Sequence, residues 1–230
     1  MAKILFGAGV GDARGSVGAV TFTKGRNGAV LRSKVSPVQP RSSAVLAIRA
    51  FFQTLSKNWA NTLTDAERAG WNALAAITSF NNAFGNAYHP TGLQIYQLCN
   101  RNLQLIDQAV ISAAPANLDV DTPLTLTAVA DVSEAKITVA FTPTPVPAGH
   151  HLACDMGPQY NFGRAFVGNN YKFIFYAAAA AAGPFSIESA YFNKYGALKL
   201  GCKLPVRIWF IKTTTGAASQ PISSLITVIA

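Results

Sequence analysis

A chain of 230 residues can form one large domain or two small ones, and with half of its residues hydrophobic it can bury a substantial core. Only 13% of the residues are charged and the mean hydropathy is +0.24, an apolar surplus that points to buried contacts between subunits. The net charge of +9 is uneven: residues 1–50 hold eight basic side chains against Asp12 alone, so that segment favours polyanions or acidic partner surfaces. No apolar run reaches the roughly 18 residues of a membrane span; residues 173–182 come nearest. Lys3 is followed by a brief apolar stretch that Asp12 and Arg14 interrupt, which is not the pattern of a secretory signal. Synthesis in the cytoplasm without bilayer insertion is expected.

Glycine dominates the first segment, at Gly7, Gly9, Gly11, Gly15, Gly18, Gly25 and Gly28. Apolar and polar residues alternate over 17–23 and 29–35, which predicts two short strands. Lys24-Gly25-Arg26-Asn27-Gly28 joins them, and Asn-Gly favours the positive φ of a hairpin turn. A lone hairpin is marginal in water, so another chain or domain is needed to hold it. Pro37 and Pro40 then disfavour helix in the residues before them and predict an extended connection over 36–40.

Ser42 or Ser43 can cap a helix running to about Trp59, with Val45, Ile48, Phe52, Leu55 and Trp59 on one stripe. Thr64 and Glu67 stand at the spacing of a capping box, which opens a second helix carrying Trp71 and Leu74 and ending near Thr78. Residues 79–90 read as a polar and aromatic loop. A third helix over about 91–106 places Tyr96, Cys99, Leu103 and Ile106 on one face. Phe52, Trp59 and Trp71 are the candidate core of this helical segment.

At about residue 113 the pattern changes from helical to period two. Strands are predicted over 124–129, 136–141, 151–156, 171–176, 205–212 and 222–229, separated by turn-rich stretches. Such a series predicts an antiparallel β-sandwich. The alanine run 177–182 fits a short helix, an inter-sheet crossover or a subunit contact. With Trp209 in a penultimate strand and Thr215-Gly216 in the next turn, residues 204–230 resemble the last two strands of a fibronectin-type or immunoglobulin-like module.

Catalytic chemistry finds little support. Asp65 and Glu67 are explained by helix capping, and the grouping of His150, His151, Cys154 and Asp155 is the single candidate for a Cys-His dyad or a metal site. The three cysteines, Cys99, Cys154 and Cys202, lack any CxxC pair and read as small buried hydrophobes, with a Cys154–Cys202 bridge as the alternative. His89, His150 and His151 do not stand at zinc-module spacing. Gly7-Ala8-Gly9-Val10-Gly11 brings its third glycine too early for a dinucleotide loop, and a glycine-broken strand follows it where a helix is required. No Gly-Lys-Ser or Gly-Lys-Thr of a P-loop occurs. No cofactor is expected. Arg14, Lys24, Arg26, Arg32, Lys34 and Arg41 remain as candidate contacts to a polyanion or a neighbouring subunit.

Arg14-Gly15-Ser16-Val17-Gly18, the stretch from Gly28 to Pro40, and Trp59 followed by Leu63-Thr64, Arg68 and Trp71 resemble proteins encoded by tailed phages and prophages. Thr91-Gly92 before an amphipathic helix continues the likeness. The resemblance implies a role in the virus particle. The expected organisation is α+β: a basic arm in residues 1–41, three helices in 42–112, a linker in 113–121 and an immunoglobulin- or fibronectin-like β-sandwich in 122–230. The expected function is a non-catalytic structural protein of a phage capsid or tail, made in the host cytoplasm and assembling with itself or with other virion proteins. The alternatives are a packaging protein that binds nucleic acid without sequence preference through the arm, and a surface adhesion module.

Overall fold

The computed structural model describes residues 2–3, 13–25, 28–34, 39–81, 87–164, 168 and 170–230. The chain is α+β and divides into two compact units, Met1–Ala50 and Phe51–Ala230. The division falls inside the first helix, α1 (Ser43–Asn61).

In the first unit, β1 (Ala2–Lys3), β2 (Gly15–Val17), β3 (Val20–Gly25) and β4 (Gly28–Ser33) form an antiparallel sheet in the order β1-β4-β3-β2. Strands β3 and β4 pair from Val20↔Ser33 to Gly25↔Gly28, which is the hairpin that Asn-Gly predicts. The turn residues Arg26 and Asn27 lie outside the described residues, as do the Gly7-to-Gly11 run and positions 35–38 of the extended connection. The single strand expected over 17–23 is broken. Gly18 adopts φ +56°, the chain folds back, and Val17 pairs with Val20. At the other end of the unit, the Arg49 guanidinium donates to Gln39 Oε1 at 3.0 Å and to the Pro40 carbonyl at 3.4 Å, tying the incoming chain to α1. None of the described side chains between positions 13 and 50 is buried.

The second unit opens with helices. Thr64 caps α2 (Asp65–Ile77) with the predicted box: its hydroxyl accepts from the Glu67 amide at 3.3 Å, and Glu67 accepts from the Thr64 amide at 2.7 Å. Thr91 and Gln94 make the same reciprocal pair at the start of α3 (Gly92–Leu105). Leu55, Leu63, Trp71, Leu74, Ile95, Tyr96 and Cys99 form the helical core. Trp71 is fully buried, meets Tyr96 edge-on at 5.4 Å, and donates its indole N–H to the Ser112 carbonyl at 2.7 Å. The stripe expected along α1 is covered only in its second half. Leu55 is buried, but Ile48 is 54% exposed. Two short strands, β5 (Phe80–Asn81) and β6 (Ala87–Tyr88), pair within the stretch expected as loop.

After α3 the chain runs without regular structure to residue 124. Ile111, Ala114 and Leu118 still pack on the helical core, whereas Val120 packs on the next one. Asn100 holds this path down: its amide donates to the Tyr96 and Ile111 carbonyls and accepts from the Ile111 amide at 2.8 Å.

Two antiparallel sheets follow. Strands β7 (Thr125–Asp131), β8 (Lys136–Thr142) and the short β11 (Phe185–Ser186) stand in the order β11-β8-β7. Strands β9 (His150–Met156), β10 (Lys172–Ala177), β12 (Lys203–Lys212) and β13 (Ile222–Thr227) stand in the order β10-β9-β12-β13. Period-two alternation sends Ile137, Val139 and Phe141 from one sheet into the same core as Leu152, Cys154, Met156, Leu204, Val206, Ile208 and Phe210 from the other. Backbone bonds link the sheets at the β7–β13 edge and tie two inter-sheet crossovers to each other. Ile229 bridges to Asp131, with amide-to-carbonyl distances of 2.9 Å to Ala130 and from Val132. The alanine run is an inter-sheet crossover from β10 to β11, and its Ala180 and Ala181 exchange 3.0 Å bonds with Val146 of the β8–β9 crossover. A helix that sequence reasoning missed, α4 (Glu188–Tyr195), interrupts the strand series and buries Tyr191 in the core.

The helices meet the four-stranded sheet at its other face. Leu103 and Ile106 of α3 pack with Ala153, Ile211, Phe173, Tyr176 and Trp209. The β12–β13 turn presses on the same helix: Asn102 donates to the Gly216 carbonyl at 2.9 Å, and a Cβ at Gly216 would stand 2.1 Å from the Cys99 carbonyl oxygen. Gly216 also adopts φ +68°. Gly216→Ala therefore combines backbone strain with a backbone clash and is expected to lower stability by more than about 2 kcal/mol in urea unfolding. Gly201→Ala has a similar φ of +75° but open space, so it reports the strain alone. Equal losses in the two variants would show that the contact with α3 yields freely.

Candidate functional site

Of the candidate arm contacts, Arg32, Lys34 and Arg41 are exposed and make no ion pair with a described residue. Arg14 is exposed as well. Arg26 and the Lys24 side chain lie outside the described residues. Arg32 stands opposite Thr21 in the β3–β4 ladder, and Lys34 bonds through its amide to the Ala19 carbonyl at 2.8 Å. Of the candidate core residues, Trp71 is at the centre and Trp59 is half-buried, 5.7 Å from the Tyr96 ring. Phe51 packs on the helical core, and Phe52 meets Phe51 edge-on at 6.1 Å.

The His150, His151, Cys154 and Asp155 grouping is taken apart by strand geometry. Alternation along β9 turns Cys154 into the core between the sheets. His151 lies on the opposite face, stacked on Tyr176 with centroids 5.6 Å apart, and Asp155 pairs there with Arg207. The His150 ring donates from Nδ1 to the Ala148 carbonyl at 3.0 Å. A dyad needs both groups within hydrogen-bond reach: the opposite faces keep His151 from Cys154, and His150, which shares the face of Cys154, stands four positions away along β9, about 13 Å. Among the described residues no three His, Cys, Asp or Glu side chains converge as a metal site.

A cleft of about 360 Å³ lies between α3 and the outer face of the four-stranded sheet. Arg101, Asn102 and Leu105 form the helical wall; Asp155, Phe173, Arg207 and Trp209 form the floor. Tyr171 and the β12–β13 connection at Ala218, Ser219 and Pro221 close the ends. Arg207 and Asp155 are direct cross-strand neighbours in the β12–β9 register, and the Arg207 guanidinium donates to Asp155 Oδ2. Its Cζ also sits 4.5 Å from the Tyr171 ring centroid and 5.6 Å from that of Trp209. Arg207 Nε is buried without an acceptor. Arg101 is exposed beside it and makes no ion pair with a described residue. Sequence reasoning did not single out this cleft, because its residues come from distant parts of the chain.

The thiols are placed for packing. All three cysteines are free. Burial pushes the Cys99 thiol up to about 12, and burial followed by the charge of Asp155 pushes Cys154 up as well. Cys202 is only half-buried. A thiol-reactive disulfide at about pH 8 should label one site per native chain and three in denaturant; fast native labelling of Cys99 or Cys154 would contradict their burial.

Burial also lowers the pKa of His151 from its ordinary 6.5. The unfolded chain then takes up this proton first, so the His151 contribution to stability is present above about pH 6.5 and is lost as pH falls toward the folded-state value. Replacing His151 by Phe keeps the stack on Tyr176 and removes the titration. Its unfolding free energy should decline less between about pH 7 and 5 than that of the native chain, and identical slopes would refute the assignment.

No protein-family model and no curated protein matches this chain.

Proposed function

We propose that this chain is a non-catalytic structural subunit of a phage particle, which assembles by docking residues 1–50 onto a neighbouring subunit. The observation that carries the reading is the lack of any buried side chain among the described residues between positions 13 and 50. A sheet whose described side chains are at most half-buried gains little to offset the entropy of ordering its strands, so it needs a surface from elsewhere. Val20, Phe22, Val30 and Leu31 are half-exposed apolar side chains that such a surface would cover. The β2 edge, which no other described strand pairs, adds backbone groups that a partner strand can meet.

The body of the subunit is read as an immunoglobulin-like β-sandwich of fibronectin type. What supports this is the strand order: β7, β8 and β11 on one side, and β10, β9, β12 and β13 on the other, with one core between them. Apolar side chains left exposed on this body, among them Leu124 at 73%, Phe162 at 71% and Leu200 at 64%, agree with further subunit contacts. The phage assignment itself rests on the sequence resemblance.

A second reading is that the arm binds nucleic acid without sequence preference, favoured by the exposure of Arg32, Lys34 and Arg41. One experiment addresses both. Light scattering of the full chain at low and high salt should give a discrete multimer free of nucleic acid. A chain lacking residues 1–41 should remain folded by circular dichroism and run as a smaller species. Equal assembly by the truncated chain would overturn the docking role. Salt-sensitive retention of a short duplex by the full chain, lost on truncation, would replace it with the nucleic-acid reading.

A further inference from the structure

The cleft beside Arg207 has a chemical composition that the assembly reading leaves unused. Its charge does not balance. Arg101 and Arg207 bring two guanidinium groups and Asp155 one carboxylate, which leaves one positive charge for an incoming anion. Arg207 Nε is buried without an acceptor, a state that a ligand oxygen would relieve. Arg207 is held between Tyr171 and Trp209, so it presents its remaining donors from a restrained position.

The other requirements come from the remaining walls. Arg207 engages one oxygen of Asp155, and the second is an acceptor suited to a hydroxyl donor. Trp209 and Phe173 offer apolar ring faces on the floor. A volume of about 360 Å³ is at the small end of ligand pockets and fits a single substituted ring. A bare carboxylate satisfies the arginines but not Asp155 or the aromatic floor. A neutral sugar satisfies the floor and Asp155 but leaves the positive charge uncompensated.

We propose that the cleft between α3 and the four-stranded sheet binds an acidic saccharide ring, with its carboxylate or phosphate at Arg101 and Arg207, a hydroxyl at Asp155 and its apolar face on Trp209. Such a site gives the subunit a glycan-recognition function in addition to assembly. It does not depend on the arm, so a failure of either reading leaves the other intact.

Isothermal titration of the full chain tests this with four probes: glucuronate, glucose 6-phosphate, glucose and inorganic phosphate. Glucuronate or glucose 6-phosphate should bind at least about tenfold more tightly than glucose and than inorganic phosphate, and the stronger of the two identifies the acidic group. Arg101→Gln changes an exposed side chain and should leave folding intact while weakening the acidic sugar about tenfold. Trp209→Ala, checked for folding by circular dichroism, should weaken the sugars. Absence of heat with every probe, equal affinity for glucose and glucuronate, or unchanged affinity in Arg101→Gln would overturn the proposal. Inorganic phosphate binding as tightly as glucose 6-phosphate would also overturn it, since the ring would then contribute nothing.

Discussion

The seating of α3 on the four-stranded sheet is the contact on which the Phe51–Ala230 unit depends. One face of this helix belongs to the helical core through Ile95, Tyr96 and Cys99. Its last turn belongs to the sheet through Leu103 and Ile106. The β12–β13 turn approaches the helix backbone so closely that glycine is required at 216, and Asn102 fastens the turn there with a buried hydrogen bond. Asn100 fastens the departing chain on the other side. Helices and sheets therefore belong to one compact unit although their cores are separate.

That seating also creates the cleft. Where Leu103 and Ile106 cover the sheet, the contact is apolar; beside it, Arg101 and Asn102 stand across the cleft from Asp155 and Arg207. The ion pair lies across adjacent strands, and two aromatic rings flank its arginine. Partial burial strengthens such an arrangement relative to a surface pair, and it also makes any unmade hydrogen bond costly. The contrast with the first fifty residues is physical. There the charge is high, glycine is frequent and burial is absent among the described side chains.

Much of the α+β layout was legible in the sequence, since period and capping are local properties. Thr64 and Glu67 announce their helix, and the alternation over 136–141 places Ile137, Val139 and Phe141 on the inner face. The Thr91–Gln94 box had the same signal and was passed over. Other features needed the partner surface. A stripe on α1 cannot say that its cover stops short of Ile48, nor that Phe51 packs where Phe52 was expected. The break at Gly18 competes with an unbroken alternation from Val17 to Thr23, and only pairing decides it. Arg207 and Asp155 stand 52 positions apart, so no local pattern joins them. Period two did contain the answer for Cys154 and Asp155, since neighbours in a strand face opposite ways.

The backbone links between the paired sheets have a mechanical meaning. At the β7–β13 edge Ile229 is bonded to Ala130 and Val132, whereas Val146, Ala180 and Ala181 bond two inter-sheet crossovers to each other. A force that hinges the sheets apart at the β7–β13 edge falls directly on the Ile229 bonds. At the crossovers the covalent chain itself carries the load. The paired sheets should therefore open first at the β7–β13 edge, like a book held at its spine.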